Sequence, residues 1–258
     1  MKYILAFIFI VAISLGGAFL YFYSQVRFDA YAIIDYKPKL TTQIFDRNNE
    51  LIANIFEENR IYVKYNDIPP RVIEALVAIE DTSYFEHGGI NVEAMARAAI
   101  KDIKARKLVE GASTLTQQLI KNLALSREKK FTRKIKEIVL AMKLESELSK
   151  EDIIERYLNH VYFGHGYYGI KTAAEGYFRK ELNELSIKEV AMLVGLPKAP
   201  STYDPTKHLD LSLSRANRVL ERMYSIGWIN EDEYRKGVLE EPAVFDDTLT
   251  RNKAPYVV

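Results

Sequence analysis

Residues 73–89 read I-E-A-L-V-A-I-E-D-T-S-Y-F-E-H-G-G. The stretch opens as a helix. Val72, Leu76 and Glu80 fall at i, i+4 and i+8, with Ile73 and Val77 beside them, so one stripe is apolar and a carboxylate ends it. A carboxyl group closing a core-facing ladder is placed to accept or donate a proton. The pattern breaks at Asp81-Thr82-Ser83, and Gly88-Gly89 closes it with turn chemistry. Glu80 is therefore expected at a helix end, facing a polar loop that carries His87. The plain alternative is an exposed helix-terminal acid or a cap for the next segment, and the rest of the chain has to decide.

The chain has 258 residues, no Cys, and 36 basic against 35 acidic side chains. That length supports one or two domains with a core that folds unaided. A net charge of +1 gives no bulk argument for a nucleic-acid partner. The lack of Cys excludes a disulfide framework and thiolate metal sites, and the four His residues have no metal-ligand spacing.

Residues Tyr3 to Tyr23 carry no charge, and spanning a bilayer takes about 20 apolar residues. Lys2 and the amino terminus precede the stretch and the next cation is Arg27, which puts the short tail in the cytoplasm and the rest outside. Tyr21, Phe22 and Tyr23 suit the far interface. A secretory signal has an apolar region of about 7–15 residues followed by a small-x-small site. This one is longer and ends in bulky aromatics, so residues 1–27 are expected to be a cytoplasmic tail and an uncleaved transmembrane anchor.

Residues 28–66 are expected to form a juxtamembrane segment with short strands. Thr41–Phe45 and Leu51–Phe56 flank the polar turn D-R-N-N-E, where Asn49 takes the left-handed position, and Ile61-Tyr62-Val63 is a third strand candidate. Asp67, followed by Pro69 and Pro70, starts the helix that ends at Glu80. Asn91 caps a helix reaching Arg106, and Lys104 to Gly111 is a charged loop. A helix follows from Ser113 or Thr114, with Thr114, Gln118 and Lys121 on one face and Leu115, Leu119 and Leu123 on another. Phe131 to Leu148 is a long helix with Ile135, Ile138, Val139 and Met142 inward. Ser149 to Asp152 resembles a capping box, and Ser186 to Glu189 is one for the helix ending at Gly195-Leu196-Pro197. Leu213, Ala216, Val219, Leu220 and Met223 mark another helix, stopped by Gly227, and Asn230 caps a last one. Short loops predict one compact helical domain over 67–245.

Four features bear on chemistry together. They are Glu80, the polar face Thr114, Gln118 and Lys121, the basic run Arg127, Lys129, Lys130, Arg133, Lys134 and Lys136, and Glu137 directly after it. Arg133 and Glu137 are spaced i, i+4, and Lys134 and Glu137 i, i+3. Alone, this is a solvated helix face whose ion pairs are worth roughly a few tenths of a kcal/mol each. Six cations with one interleaved acid also make a seat for a diphosphate, which Arg binds as a fork and Lys as a point charge.

These residues fall into five ordered motifs. The first, E-D-x-x-F-x-x-H-x-G, matches Glu80, Asp81, His87 and Gly89, with Tyr84 in the Phe place. The second, G-x-S-T-x-T-Q-Q-L-x-K-N, is complete from Gly111 to Asn122. The third, R-K-x-x-E-x-x-x-A, is Arg133, Lys134, Glu137 and Ala141. The fourth is Tyr157-Leu158-Asn159, Tyr162-Phe163-Gly164, Gly169-Ile170, Ala173-Ala174 and Tyr177-Phe178. The fifth is Gly195-Leu196-Pro197, Ala199-Pro200 and Tyr203-Asp204-Pro205. In them the chain resembles the peptidoglycan glycosyltransferase domain of class A penicillin-binding proteins and the monofunctional transglycosylases.

The resemblance implies a mainly α, lysozyme-like fold behind a small N-terminal β-hairpin region and a transmembrane helix. It implies polymerisation of lipid II, with Glu80 as the base that removes the proton from the acceptor 4-hydroxyl. That oxygen attacks the anomeric carbon of the growing lipid-linked glycan chain. The product is β-1,4 with inversion, and undecaprenyl diphosphate leaves. This is half of the two-carboxylate logic of inverting glycosidases, with a sugar hydroxyl replacing water. Lys121, Arg133 and Lys134 stabilise the departing charge, with or without a divalent cation such as Mg²⁺ or Mn²⁺. Glu137 orients these cations, binds a metal or assists departure; the three stay open. Ser113, Thr114, Gln117, Gln118, Asn122 and Asn159 are expected sugar or phosphate contacts, while Asp81, Tyr84 and His87 support the Glu80 loop. The bacterial cytoplasmic membrane, crossed once with the catalytic domain outside, and moenomycin-type inhibitors are the other expected partners; nucleic acid is not.

Gly195-Leu196-Pro197 and Tyr203-Asp204-Pro205 read as structural turns. Ser126 to Lys129 matches the S-x-x-K of penicillin-reactive enzymes, but no S-x-N or K-T-G follows and Lys171-Thr172-Ala173 departs from the latter, so Ser126 is read as a helix cap. Residues 246–258 resemble the start of a linker toward a transpeptidase domain. The rival reading is a membrane-anchored lysozyme-like glycan hydrolase, which needs no diphosphate seat. A non-catalytic scaffold has no use for both Glu80 and Glu137.

Overall fold

Proline at the first turn and an apolar stripe make α2, Pro70–Glu80, the helix expected before Asp81: Val72, Ala75, Leu76, Val77 and Ala78 are buried. The computed structural model describes residues 2–34, 42–48, 51–55, 58–105, 111–123 and 130–246. They divide into two compact units, Met1–Tyr36 with His87–Ser149, and Lys37–Glu86 with Lys150–Val258. The single helical domain expected over 67–245 is thus shared between two units.

The first unit holds α1 (Lys2–Ile34), α3 (Val92–Ala105), α4 (Leu115–Leu123) and α5 (Lys130–Glu147). Helix α1 passes residue 27 without a break, so the first seven residues assigned to the juxtamembrane segment, 28–34, are helical. Phe7, Phe9, Ile10, Ile13, Leu15 and Leu20 are exposed along it. Counting the described residues alone, no helix is long and apolar enough to cross a membrane; the side chains of Ile4, Leu5, Ile8, Ala18, Phe22 and Tyr23 lie outside that description. Asn91 caps α3, its Oδ1 accepting the Ala94 amide at 2.8 Å. Arg106 lies outside the described residues, as do Arg127, Lys129 and Ser126.

Helix α5 corrects the expected inward face. Val139 is buried, but Ile135 and Ile138 are half-buried and Met142 is exposed. The inward stripe is Glu137, Leu140, Ala141 and Leu144, at i, i+3, i+4 and i+7. A carboxylate is tolerated on it because two cations of the same helix pair with it.

The second unit holds two short strands, α2 and the remaining helices. Strand β1 (Thr42–Phe45) runs antiparallel to β2 (Leu51–Ile55), with Thr42 opposite Ile55 and Ile44 opposite Ala53. Thr41, Asn49 and Phe56 lie outside the described residues. The expected third strand does not form. The Ile61 amide donates to Thr172 Oγ1 at 2.8 Å, that of Val63 to Asn159 Oδ1 at 2.8 Å and that of Tyr65 to Glu155 Oε2 at 2.7 Å. Side chains of α6 (Lys150–His160) and α7 (Ile170–Phe178) satisfy the backbone groups that a ladder would otherwise pair.

The core of this unit is α2 packed with α8 (Ile187–Gly195) and α9 (Leu209–Ser225). Val72, Leu76, Leu193, Val194, Ala216, Val219, Leu220 and Met223 fill it. The capping box Ser186–Glu189 is complete, and Asn230 forms one with Glu233 at the start of α10 (Glu231–Leu239).

Candidate active site

Glu80 is the last residue of α2, and the amide of Asp81 still closes the helix on the Val77 carbonyl at 3.0 Å. Its carboxylate is nearly buried. Arg215 of α9 places Nη2 3.5 Å from Glu80 Oε1, with the two side chains 7% and 14% exposed. Burial, and then the charge of Glu80, push the Tyr157 phenol well above its ordinary range. The segment after Glu80 is held from two sides. Arg222 donates to Thr82 Oγ1 at 2.8 Å, and Tyr84, fully buried, donates to the Lys150 carbonyl at 2.9 Å with the Lys150 ammonium 4.3 Å from its ring centre. Asp81 is buried beside them. His87 is half-buried and belongs to the other unit.

Arg215 was not singled out by sequence. The signal was there: it is a cation on the stripe Ser212, Ala216, Val219 and Met223 that α9 buries. A charge on an apolar stripe is what marked Glu80.

In the first unit the expected cluster assembles around Glu137. Arg133 Nε lies 3.0 Å from Glu137 Oε1 and Lys134 Nζ 3.2 Å from Oε2. Lys134 also donates to Ser113 Oγ at 2.9 Å and to Gln117 Oε1 at 3.3 Å. Gln117 and Thr114 cap the start of α4 reciprocally: the Thr114 amide donates to Gln117 Oε1 and the Gln117 amide to Thr114 Oγ1, both at 3.2 Å. Thr114 Oγ1 donates to the Gly89 carbonyl at 2.7 Å. The second and third motifs and the end of the first therefore meet here. Glu137 is 5% exposed, Arg133 28% and Lys134 41%. Two cations against one acid leave a positive surplus reachable from solvent. Gln117 Nε2 is buried with no partner among the described residues, a donor that a bound oxygen would satisfy. Gln118 is half-buried, Lys121 and Asn122 are exposed, and the Lys130 side chain lies outside the described residues.

A divalent cation does not fit at Glu137. Both its oxygens face a cation, and no group of three or more metal-ligating side chains exists among the described residues. Asn159 is a further correction. It is buried, and its Nδ2 donates to the carbonyls of Val63 at 2.7 Å and Glu155 at 2.8 Å. That spends both amide hydrogens on the scaffold rather than on a substrate.

The second unit thus holds a shielded carboxylate, Glu80, and the first a cation-rich cluster around Glu137. Residues 48–224 match the family model described as Transglycosylase. The chain belongs to that family. It is 42% identical over 214 residues to penicillin-binding protein 1F of Bacillus subtilis (strain 168), covering 82% of this chain and 30% of that protein. It is 44% identical over 201 residues to penicillin-binding protein 1A of Aquifex aeolicus (strain VF5), covering 78% and 28%. The crystal structure of penicillin-binding protein 1A from Haemophilus influenzae overlays with a TM-score of 0.49 at 27% identity, over 82% of this chain and 22% of that one. The chain thus spans less than a third of the length of these relatives.

Proposed function

We propose that the chain polymerises lipid II into β-1,4 glycan strands with inversion, releasing undecaprenyl diphosphate. The observation that carries this reading is the cluster in which Arg133 and Lys134 share Glu137 while Lys134 also reaches Ser113 and Gln117. Glu80 takes the proton of the acceptor 4-hydroxyl. The freed oxygen bonds to the anomeric carbon of the growing chain, and the bond from that carbon to the diphosphate oxygen breaks. The diphosphate leaves without needing an acid because Lys134, Arg133 and Lys121 meet its charge as it develops. Glu137 orients the two cations beside it. Ser113, Thr114, Gln117, Gln118 and Asn122 contact sugar or phosphate, while Asp81, Tyr84 and His87 hold the loop after the base. No step is routed through a metal.

The lysozyme-like description of the fold belongs to the same proposal. So does the setting: residues 1–27 as tail and single anchor in the bacterial cytoplasmic membrane, the segment 28–66 with its paired strands next to it, and residues 67–245 outside. The uncharged 21 residues from Tyr3 to Tyr23 and the exposed apolar side chains of α1 support it. A moenomycin-type inhibitor would compete for the diphosphate seat.

The test is a glycan-chain assay of the full chain with lipid II. Polymer is expected, and Glu80→Gln should lower the rate by about 10²–10⁴-fold with the fold retained. Release of fragments from preformed glycan, with no polymer from lipid II, would favour the hydrolase.

A further inference from the structure

Arg215 reaches Glu80 by crossing Gly195. Its Nε lies 3.5 Å from the Gly195 carbonyl, and a Cβ on Gly195 would stand 2.9 Å from Arg215 Cγ. Gly195 has φ −76, which any residue adopts, so it is space and not backbone freedom that asks for glycine here. The turn Gly195-Leu196-Pro197 thus does more than end α8. It leaves the gap through which the arginine stem passes.

A buried guanidinium is costly unless an anion answers it, and Glu80 Oε1, 3.5 Å away, does so. The distance is long for a charge-assisted hydrogen bond. It is a tether between two opposite charges, both largely shielded from water, where attraction is screened less than at a surface. A glutamate has three side-chain torsions, and a base works only when its oxygen meets the proton within hydrogen-bond reach.

We propose that Arg215 is a positioning residue for Glu80 and that Gly195 is the spacer that lets it reach. The guanidinium fixes Oε1 and so presents the carboxylate to the acceptor hydroxyl in one orientation. This rests on the reading of Glu80 as the base. Arg215 touches no substrate in this scheme, so its loss acts on kcat and not on KM.

The experiment uses the full 258-residue chain in detergent at varied lipid II, with thermal melting beside each rate. Arg215→Met is expected to lower kcat about 10²-fold with KM changed by less than about twofold, the scale of losing an oriented catalytic geometry. Arg215→Lys keeps the charge and should recover about tenfold of that loss, though not all, because a point charge does not replace a planar fork. Gly195→Ala should lower kcat with Arg215 intact, yet lower it no further on top of Arg215→Met, because the guanidinium that the new methyl group would misplace is already gone. Glu80→Gln is measured alongside. If Glu80→Gln keeps its rate, the reading of the base fails and this inference with it. If Glu80→Gln loses its rate while Arg215→Met stays within about threefold of the parent chain, or loses only KM, positioning by Arg215 is wrong. It is equally wrong if the Met and Lys variants both lose the fold rather than the rate, because Arg215 is then a packing element.

Discussion

Asn159 and Val63 exchange two hydrogen bonds: the Val63 amide donates to Asn159 Oδ1 at 2.8 Å and Asn159 Nδ2 donates to the Val63 carbonyl at 2.7 Å. One side-chain amide thus does for the extended segment what a neighbouring strand would do. Asn159→Ala strands both backbone groups of a buried residue. The expected loss is about 2–4 kcal/mol of unfolding free energy, read from denaturant midpoints at unchanged m-value. A loss below about 0.5 kcal/mol, the size of a surface substitution, would assign Asn159 to a solvent-facing or substrate-facing role after all.

Gly89 closes the first motif with φ +90, and a Cβ there would lie 2.5 Å from the Ala141 carbonyl oxygen. Conformation and space both demand glycine. Gly89→Ala should cost about 3 kcal/mol or more, through backbone strain and displacement of α5. Because α5 carries Arg133, Lys134 and Glu137, the variant should also lose activity at temperatures where it remains folded. Full activity with a normal melt would show that α5 does not depend on this contact.

What was legible in the sequence was local. The helix before Glu80, the box at Ser186, the cap at Asn230, and the pairing of Glu137 with Arg133 and Lys134 are all set by spacings within one or two turns. What was missed needed distant partners. Ile61-Tyr62-Val63 is rich in strand formers, but its backbone is satisfied by Asn159, 96 positions from Val63, and by Thr172, 111 from Ile61. The inward face of α5 was misread because a glutamate lies on it, and an acid is rarely placed in a core unless its compensating cations are counted. Arg215 shares a signature with Glu80, but its meaning appears only when α9 is laid beside α2. The division into two units leaves no trace in periodicity, since α1 joins helices that begin more than 50 residues later.

The stability of the second unit should depend on Glu175. Burial first, then Glu181, hold its carboxyl above the usual range, with Lys171 opposing. A carboxyl raised in the folded state binds its proton better there than in the unfolded chain. Its favourable contribution is therefore present at low pH and lost as pH rises through the folded value. Glu175→Gln mimics the protonated form. The variant should melt like the parent near about pH 4 and higher than it by about pH 7. Equal melting temperatures across that range would mean that Lys171 fully offsets burial.

The last expectation separates a diphosphate seat from a general attraction to anionic surfaces. Lys134 contacts Glu137, Ser113 and Gln117 at once, so its ammonium is fixed before substrate arrives. A charge fixed in that way acts mainly in the transition state, when the leaving oxygen becomes negative. Lys134→Ala should lower the maximal rate under saturating lipid II by about 10²–10³-fold, as losing one preorganised charge contact does. Lys134→Arg should recover part of it, because a fork cannot reproduce all three contacts of a point charge. Lys130 stands in the same run but outside the third motif, and Lys130→Ala should change the rate little, as for a solvated surface charge. Melting of each variant controls for folding, since Lys134→Ala also leaves Glu137 with one cation instead of two. If Lys130→Ala and Lys134→Ala slow the enzyme equally, the run draws the protein to an anionic membrane by summed charge, and the seat for the diphosphate has to lie elsewhere.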